Sequence, residues 1–378
     1  MKISEFKRRF HPLQSARFCL RTGRRVLSEG GVHVDRFRQG SGPLVVFMPN
    51  EDRQGAARLR IYNISKSLRS LGWRALILPP RLTLAQRTRL ISMAQPDALV
   101  MQGVRHHLNR PGYYPGQTIL LDMDDADFHL DHLKSAVKRA VREVSVVMAG
   151  STYIADWCLA KGAASSSIVW TGTPVSQAPR PLHANRPPVV AWAQTRPMTY
   201  LREAAFVREA MMQLARRRPG TILRLYERGR GDDPAFAESF RVPGLKVEWV
   251  KEMPYEDYLA SFDDVAVGLA PLCPDNAFSR GKSFGKILAY LDRHVPTIYS
   301  DFGEPTRFFS SQTGCLARGV SDWAEQVDRL LADSNRRQWM ADAAFDAFQS
   351  QLTTDISAKS VSDVLSKAVF SQAVPQVA

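Results

Sequence analysis

Between Asp263 and Phe302 the chain reads DDVAVGLAPLCPDNAFSRGKSFGKILAYLDRHVPTIYSDF, and no other stretch limits the fold as much. The apolar run from Val265 to Leu272, bounded by Pro271 and Pro274, is too short for a helix and predicts a buried strand. A polar loop follows. Phe284, Ile287, Leu288 and Leu291 then recur at helical spacing, which marks one buried face. His294 and Pro296 end that helix, and Val295 to Tyr299 reads as a second strand. Strand, helix and strand in succession make a βαβ crossover, which joins two parallel strands.

The same alternation runs through the rest of the chain. Strands are expected at 44–48, 73–78, 97–102, 118–121, 144–149 and 168–170, with helices at 59–71, 84–93, 133–141 and 152–160 between them. Residues 174–188 (PVSQAPRPLHANRPP) are proline-rich and aperiodic, and read as a linker. The pattern then restarts, with strands at 189–193, 221–226 and 245–250 and helices at 201–216 and 255–262 leading into the crossover. Helices at 321–332, 336–350 and 356–370 close the chain. The 378 residues exceed one ordinary core. The expected division is a basic extension (1–42), a first Rossmann-like domain (43–173), the linker (174–188), a second Rossmann-like domain (189–354) and a C-terminal helix and tail (355–378). The fold class is α/β, with two doubly wound domains facing a cleft.

Charge narrows the partners. Residues 1–178 hold 26 Lys or Arg against 13 Asp or Glu, whereas residues 179–378 hold 25 against 24, so almost all of the net +14 sits in the front half. Ten basic and three acidic side chains fall in the first forty residues. Phe6, Phe10, Leu13, Phe18 and Leu20 are interleaved with them, as in a helix lying on an anionic membrane surface. A solvated basic arm has the same composition. A nucleic-acid-binding protein would satisfy the charge, but no zinc spacing, recognition motif or aromatic RNP strand accompanies it. With no long apolar run and no signal-peptide core, the chain is expected in the cytoplasm, peripheral on the inner face of the plasma membrane. The four cysteines, Cys19, Cys158, Cys273 and Cys315, form no C-x-x-C pair and predict free thiols.

Candidate site residues come from loops at the carboxyl ends of strands, where doubly wound sheets bind ligands. The loop of the crossover is basic: Asn276, Arg280, Lys282, Ser283 and Lys286 gather where the helix is expected to begin, which suits a phosphate. Gly281-Lys282-Ser283 resembles the end of a P-loop, but Asn276 stands where that motif requires its first glycine. In the first domain the exit of strand 97–102 carries Arg105, His106 and His107, and the strand at 118–121 ends in Asp122, Asp124, Asp125 and Asp127. Asp122, Asp124, Asp125 and His107 are the candidate general bases, since close carboxylates raise one another's pKa. Strand-end aspartates also cap helices and pair with arginines.

Three segments carry a family resemblance. DDVAVGLAPL followed nine residues later by GKSFGKILAYLDRHVPTIYSD resembles the donor-site block of GT-B glycosyltransferases of the family 4, or group 1, type. VVMAGSTYIADWCLAKG with IVWTGTPV is similar to the segment where those enzymes cross between domains. ILLDMDDADF resembles an acidic strand end of a bacterial polysaccharide branch. The resemblance covers about residues 43–370. It implies that the second domain binds a nucleotide-sugar donor and the first a glycan or lipid-linked acceptor, with no metal and no cofactor beyond the donor itself. It implies Arg196 and Lys282 as cations on the donor diphosphate, with Arg280 and Lys286 in support. The chain departs from the family by having Gly281 and Ala289 where a glutamate pair is usual. That departure leaves open a catalytically silent GT-B binding protein, and it leaves the stereochemical outcome open.

Overall fold

The apolar runs fold as strands buried along their whole length, as strands between two helical layers must be. The structure, a computed structural model, describes residues 41–194, 196–226 and 234–370. The basic segment 1–40, on which the membrane expectation rests, lies outside them, as does Cys19. Among the described residues the strands form two six-stranded sheets, parallel throughout.

The first contains β1 (Leu44–Met48), β2 (Arg74–Ile77), β3 (Ala98–Gln102), β4 (Ile119–Met123), β5 (Val146–Ala149) and β6 (Ser166–Ile168), in the order β2-β1-β3-β4-β5-β6. The second contains β7 (Val189–Trp192), β8 (Thr221–Tyr226), β9 (Leu245–Val250), β10 (Val265–Ala270), β11 (Thr297–Ser300) and β12 (Cys315–Ala317), in the order β12-β11-β10-β7-β8-β9. Strand order reverses between β1 and β3 in one sheet and between β7 and β10 in the other. Each reversal opens a crevice at the carboxyl ends of the strands.

Two crossings join the sheets, and they lie side by side. Thr173 and Thr353 form a parallel bridge, with Thr173 N donating to Leu352 O at 3.1 Å and Thr354 N to Thr173 O at 3.0 Å. Gly172 packs so closely on the Thr353 carbonyl that a Cβ there has no room. The helix Thr354–Phe370 thereby returns to the first domain. It buries Ala358, Val361 and Leu365 against Val45, Phe47 and Ile61, and Trp73 Nε1 donates to Ser362 Oγ at 2.9 Å. The expected linker is strapped down on the second domain. His183 Nε2 meets His294 O at 2.7 Å, Arg186 Nη1 donates to Val265 O at 2.8 Å, and Arg293 donates to Ala178 O and Pro179 O.

Three differences from the sequence expectations bear on the site. The expected helix at 59–71 contains a π-helical turn, Arg58–Asn63, between α-helical Gly55–Ala57 and Ile64–Ser70. The helix expected to begin near Lys282 begins at Leu288 and ends at Asp292, preceded by a 3-10 turn at Ser279–Gly281 and irregular turns. Helix Pro234–Ser239 and edge strand β12 carry too little periodicity to be read from sequence.

Candidate active site

The carboxyl edges of the two sheets face each other across a seam. Ser151 Oγ donates to Gly281 O at 3.1 Å, and Thr152 N and Trp170 Nε1 donate to the two oxygens of Glu304 at 2.7 and 2.8 Å. Glu304, which follows β11, thus caps the helix Thr152–Ala160 of the opposite domain. A carboxylate is the side chain best suited to a helix start. Trp170 packs edge-on against Phe284, ring centres 4.9 Å apart.

The acidic strand end and the basic loop meet in this seam. Lys282 Nζ donates to Asp125 Oδ1 at 2.7 Å, and Arg105 Nη2 donates to Asp125 Oδ2 at 2.7 Å and to Asp127 Oδ1 at 2.6 Å. The Lys282 ammonium also lies 4.5 Å from the centre of the Phe278 ring. Burial alone would raise the Asp125 carboxyl, but Lys282 and Arg105 outweigh it and hold that group well below the usual carboxylate range. Burial opposes the Lys282 charge too, and Asp125 and Tyr200 more than offset that, so the ammonium is held above its ordinary range. Asp127 is pushed up by burial against the pull of Arg105.

The other candidates separate into groups. Asp122, 3% exposed, is enclosed by Arg60, whose Nε lies 3.0 Å from both of its oxygens. The guanidinium further donates to Val169 O and Thr171 Oγ1, both at 2.9 Å. The π-helical turn carries Arg60. Asp122 therefore anchors the sheet rather than facing the seam. Asp124 accepts from Thr171 Oγ1 at 2.7 Å and lies 3.5 Å from Arg60 Nη1, half-buried. His107 is exposed and stacks on His106, ring centres 4.7 Å apart. Burial, with Arg87 nearby, lowers His106 to about 4.

On the donor side, Arg196 stands exposed beside the 3-10 turn Pro197–Thr199. Arg280 is exposed and its Nε donates to Pro274 O at 2.9 Å. Asn276 Oδ1 accepts from Phe278 N at 3.2 Å, and its Nδ2 lies 3.4 Å from Glu203 Oε1. Lys286 is half-buried in the turns before Leu288. Ser283 Oγ is buried without a hydrogen-bond partner among the described residues.

A phosphate seat at a helix start near Lys282 is not what forms. The helix Leu288–Asp292 has five residues and starts later. Phe284 is drawn fully into the core, and the residues at 281–282 are covered by Ala126, Asp125 and Ser151. This packing also explains the missing glutamate pair. A Cβ at Gly281 would stand 2.6 Å from Ala126 Cβ, so no side chain fits, and Ala289 is buried against the second core.

Sequence reasoning passed over two carboxylates. Glu203, 1% exposed, accepts from Ser279 Oγ at 2.7 Å and Cys273 N at 3.3 Å, which fixes the basic loop at the β7/β10 reversal. Its Oε2 is buried and unpartnered among the described residues. Glu203 and Glu304 are single acids with no local motif, so nothing in the sequence singles them out. Arg105 had a signal, the basic exit of β3. Among the described residues no three His, Cys, Asp or Glu side chains are grouped to hold a metal.

Two facing Rossmann-like domains make up the GT-B fold, and solved structures agree. The chain superimposes on the Anabaena Alr3699/HepE crystal structure with UDP and glucose at TM-score 0.63 and 14% identity, covering 86% of this chain and 100% of that one. A glycosyltransferase from Rickettsia africae ESF-5 matches at TM-score 0.63 and 10% identity, over 88% of this chain and 100% of that one. Sucrose-phosphate synthase from Thermosynechococcus elongatus matches at TM-score 0.63 and 11% identity, over 85% and 98%. No protein-family model matches the sequence, and no curated protein does.

Proposed function

We propose that the chain is a metal-independent glycosyltransferase that moves a hexose-type sugar from a nucleotide-sugar donor to a glycan or lipid-linked acceptor in surface-polysaccharide synthesis of the bacterial type. The observation that carries this reading is the ion pair of Lys282 with Asp125 across the two facing sheet edges. A half-buried lysine whose counter-ion belongs to the opposite domain is a seat for an incoming diphosphate once the domains part. The donor then replaces Asp125 as partner, and Lys282 neutralises charge as the leaving diphosphate departs, work that a metal ion does in other transferases. Arg196, Arg280 and Lys286 add positive charge on the same side, and the buried Ser283 hydroxyl follows Lys282 in the chain.

In the reaction an acceptor oxygen attacks the anomeric carbon, the bond from that carbon to the phosphate oxygen breaks, and its electron pair leaves with the nucleoside diphosphate. The acceptor proton passes to a carboxylate. Asp125 is a poor base while two cations hold it ionised, and it becomes a better one when Lys282 turns to the donor. Asp124 is the second candidate, and His107 is exposed enough to reach an acceptor.

Solved structures of this fold with UDP and with UDP-glucose support testing uridine donors first. A thermal-shift screen over UDP-, GDP-, ADP-, CMP- and dTDP-sugars tests the proposal, since a true ligand stabilises the fold by mass action. One donor should raise the midpoint and be turned over; binding without turnover would instead identify a silent binding protein. Association with the membrane through residues 1–40 is part of the proposal. No helix among the described residues is long and apolar enough to cross a membrane.

A further inference from the structure

A cavity of about 930 Å³ lies away from the seam, where the first domain, the second domain and the crossing segments meet. Asp125, Arg105 and Lys282 take no part in it. Arg53, Arg58, Asn63 and Lys66 line it from the first domain, Tyr255 from the second and Thr354 from the crossing. The Arg58 guanidinium carbon lies over the Tyr255 ring, 3.7 Å from its centre, and the Tyr255 hydroxyl is 3.0 Å from Thr173 Oγ1. The cation is therefore held in place, and the π-helical turn sets Arg58 and Asn63 toward this cavity while Arg60 turns inward to Asp122.

Three polar atoms of these lining residues are buried with no hydrogen-bond partner among the described residues: Arg58 Nε, Asn63 Nδ2 and Thr354 Oγ1. Asn63 and Thr354 are only 8% and 5% exposed. Folded proteins seldom leave buried donors unpaired, and here three of them lie in the wall of one cavity, beneath its surface. All three can donate. Two carboxylates also line it: Glu256 sits 3.5 Å from Arg58, and Asp355 accepts from Ser67 at 2.7 Å. Against them stand Arg53, Arg58 and Lys66.

A wall with this excess of positive charge selects a ligand rich in acceptor oxygens. We propose that this cavity binds a small, water-soluble phosphate anion, a diphosphate or a sugar phosphate. Its cationic groups come from the first domain and the rest of its wall from the second domain and the crossing, so a bound anion stabilises the fold and raises the unfolding midpoint.

Thermal unfolding of the full chain at matched ionic strength, with sodium pyrophosphate or with a hexose phosphate, tests this. The test is made in Lys282→Ala, which removes the seam seat proposed for the donor diphosphate; the midpoint should still rise in that variant, whose substitution lies outside the cavity. Arg58→Ala with Lys66→Ala should weaken the apparent affinity by about tenfold or more, as expected for the loss of charged donors. Asn63→Asp, of equal volume, should weaken it too, and it decides the matter if the double variant does not fold. A response to pyrophosphate alone assigns a diphosphate, and a response to the hexose phosphate alone assigns an ester. No response to either anion at roughly 10 mM overturns the proposal, since an anion of physiological affinity is near saturation there. With the cavity substitutions made in the Lys282→Ala background, a response that persists undiminished, or no response in Lys282→Ala itself, overturns it as well.

Discussion

Replacing Arg60 with alanine separates the two roles that the acidic strand end combines. Arg60 and Asp122 are 5% and 3% exposed, and the guanidinium also holds Val169 O and Thr171 Oγ1. Its removal leaves a carboxylate enclosed by protein with no counter-ion beside it, a change that costs about 3–5 kcal/mol. For a domain of this size the midpoint should fall by roughly 10 °C. The cost should depend on pH. An unpaired, buried Asp122 has its folded pKa raised above the unfolded value, so it is accommodated at low pH as the neutral acid and destabilises as pH rises through the folded pKa. Urea denaturation of Arg60→Ala at pH 5 and pH 8, followed by far-UV circular dichroism, should show the larger loss at pH 8. Arg60→Met with Asp122→Leu should recover most of the stability, because apolar pairs often replace buried ion pairs without loss. A loss under about 1 kcal/mol for Arg60→Ala, or one independent of pH, would refute the anchoring role of Asp122.

Further expectations concern the seam, the histidines and the last helix. Glu304→Gln can no longer accept from both Thr152 N and Trp170 Nε1, and should cost about 1–3 kcal/mol with a red shift of tryptophan emission; an unchanged midpoint would show that the seam does not depend on this contact. Burial, with Arg186 near His183 and Arg87 near His106, lowers these histidines from 6.5 to about 3 and about 4. The unfolded chain then takes up protons first, so stability present above pH 6.5 is lost as pH falls toward those values, and His183→Gln should flatten the dependence of the midpoint on pH. Leu365, fully buried, packs against the first domain, so Leu365→Ala should cost about 2–5 kcal/mol by denaturant titration, far more than an independent tail would.

The central strands were legible because strands buried on both faces need continuous apolar runs, as in β1, β3 and β10. β6 and β12 were harder: each has three residues at a sheet edge, and two of the three in β6 are serines. The spacing of Phe284, Ile287, Leu288 and Leu291 records which side chains are buried. It does not separate a helix from successive turns that bury the same set. Lys282 and Asp125 were each marked by the charge around them, yet 157 residues separate them and nothing local announces that they pair. Glu203 and Glu304 act by where they are placed, which the sequence does not display. Gly281 looked like a lost carboxylate, and the contact with Ala126 turns it into a requirement of domain packing.

The seam between Lys282 and Asp125 is best tested by donor turnover. Release of nucleoside diphosphate should be measured for wild type and Lys282→Ala with the donor that stabilises the fold. The account predicts turnover by the wild type and a fall in kcat of about 10²–10³ in the variant, the scale of losing one charge stabiliser of the transition state. Equal rates in the two proteins would contradict it, as would a wild type that binds no nucleotide sugar.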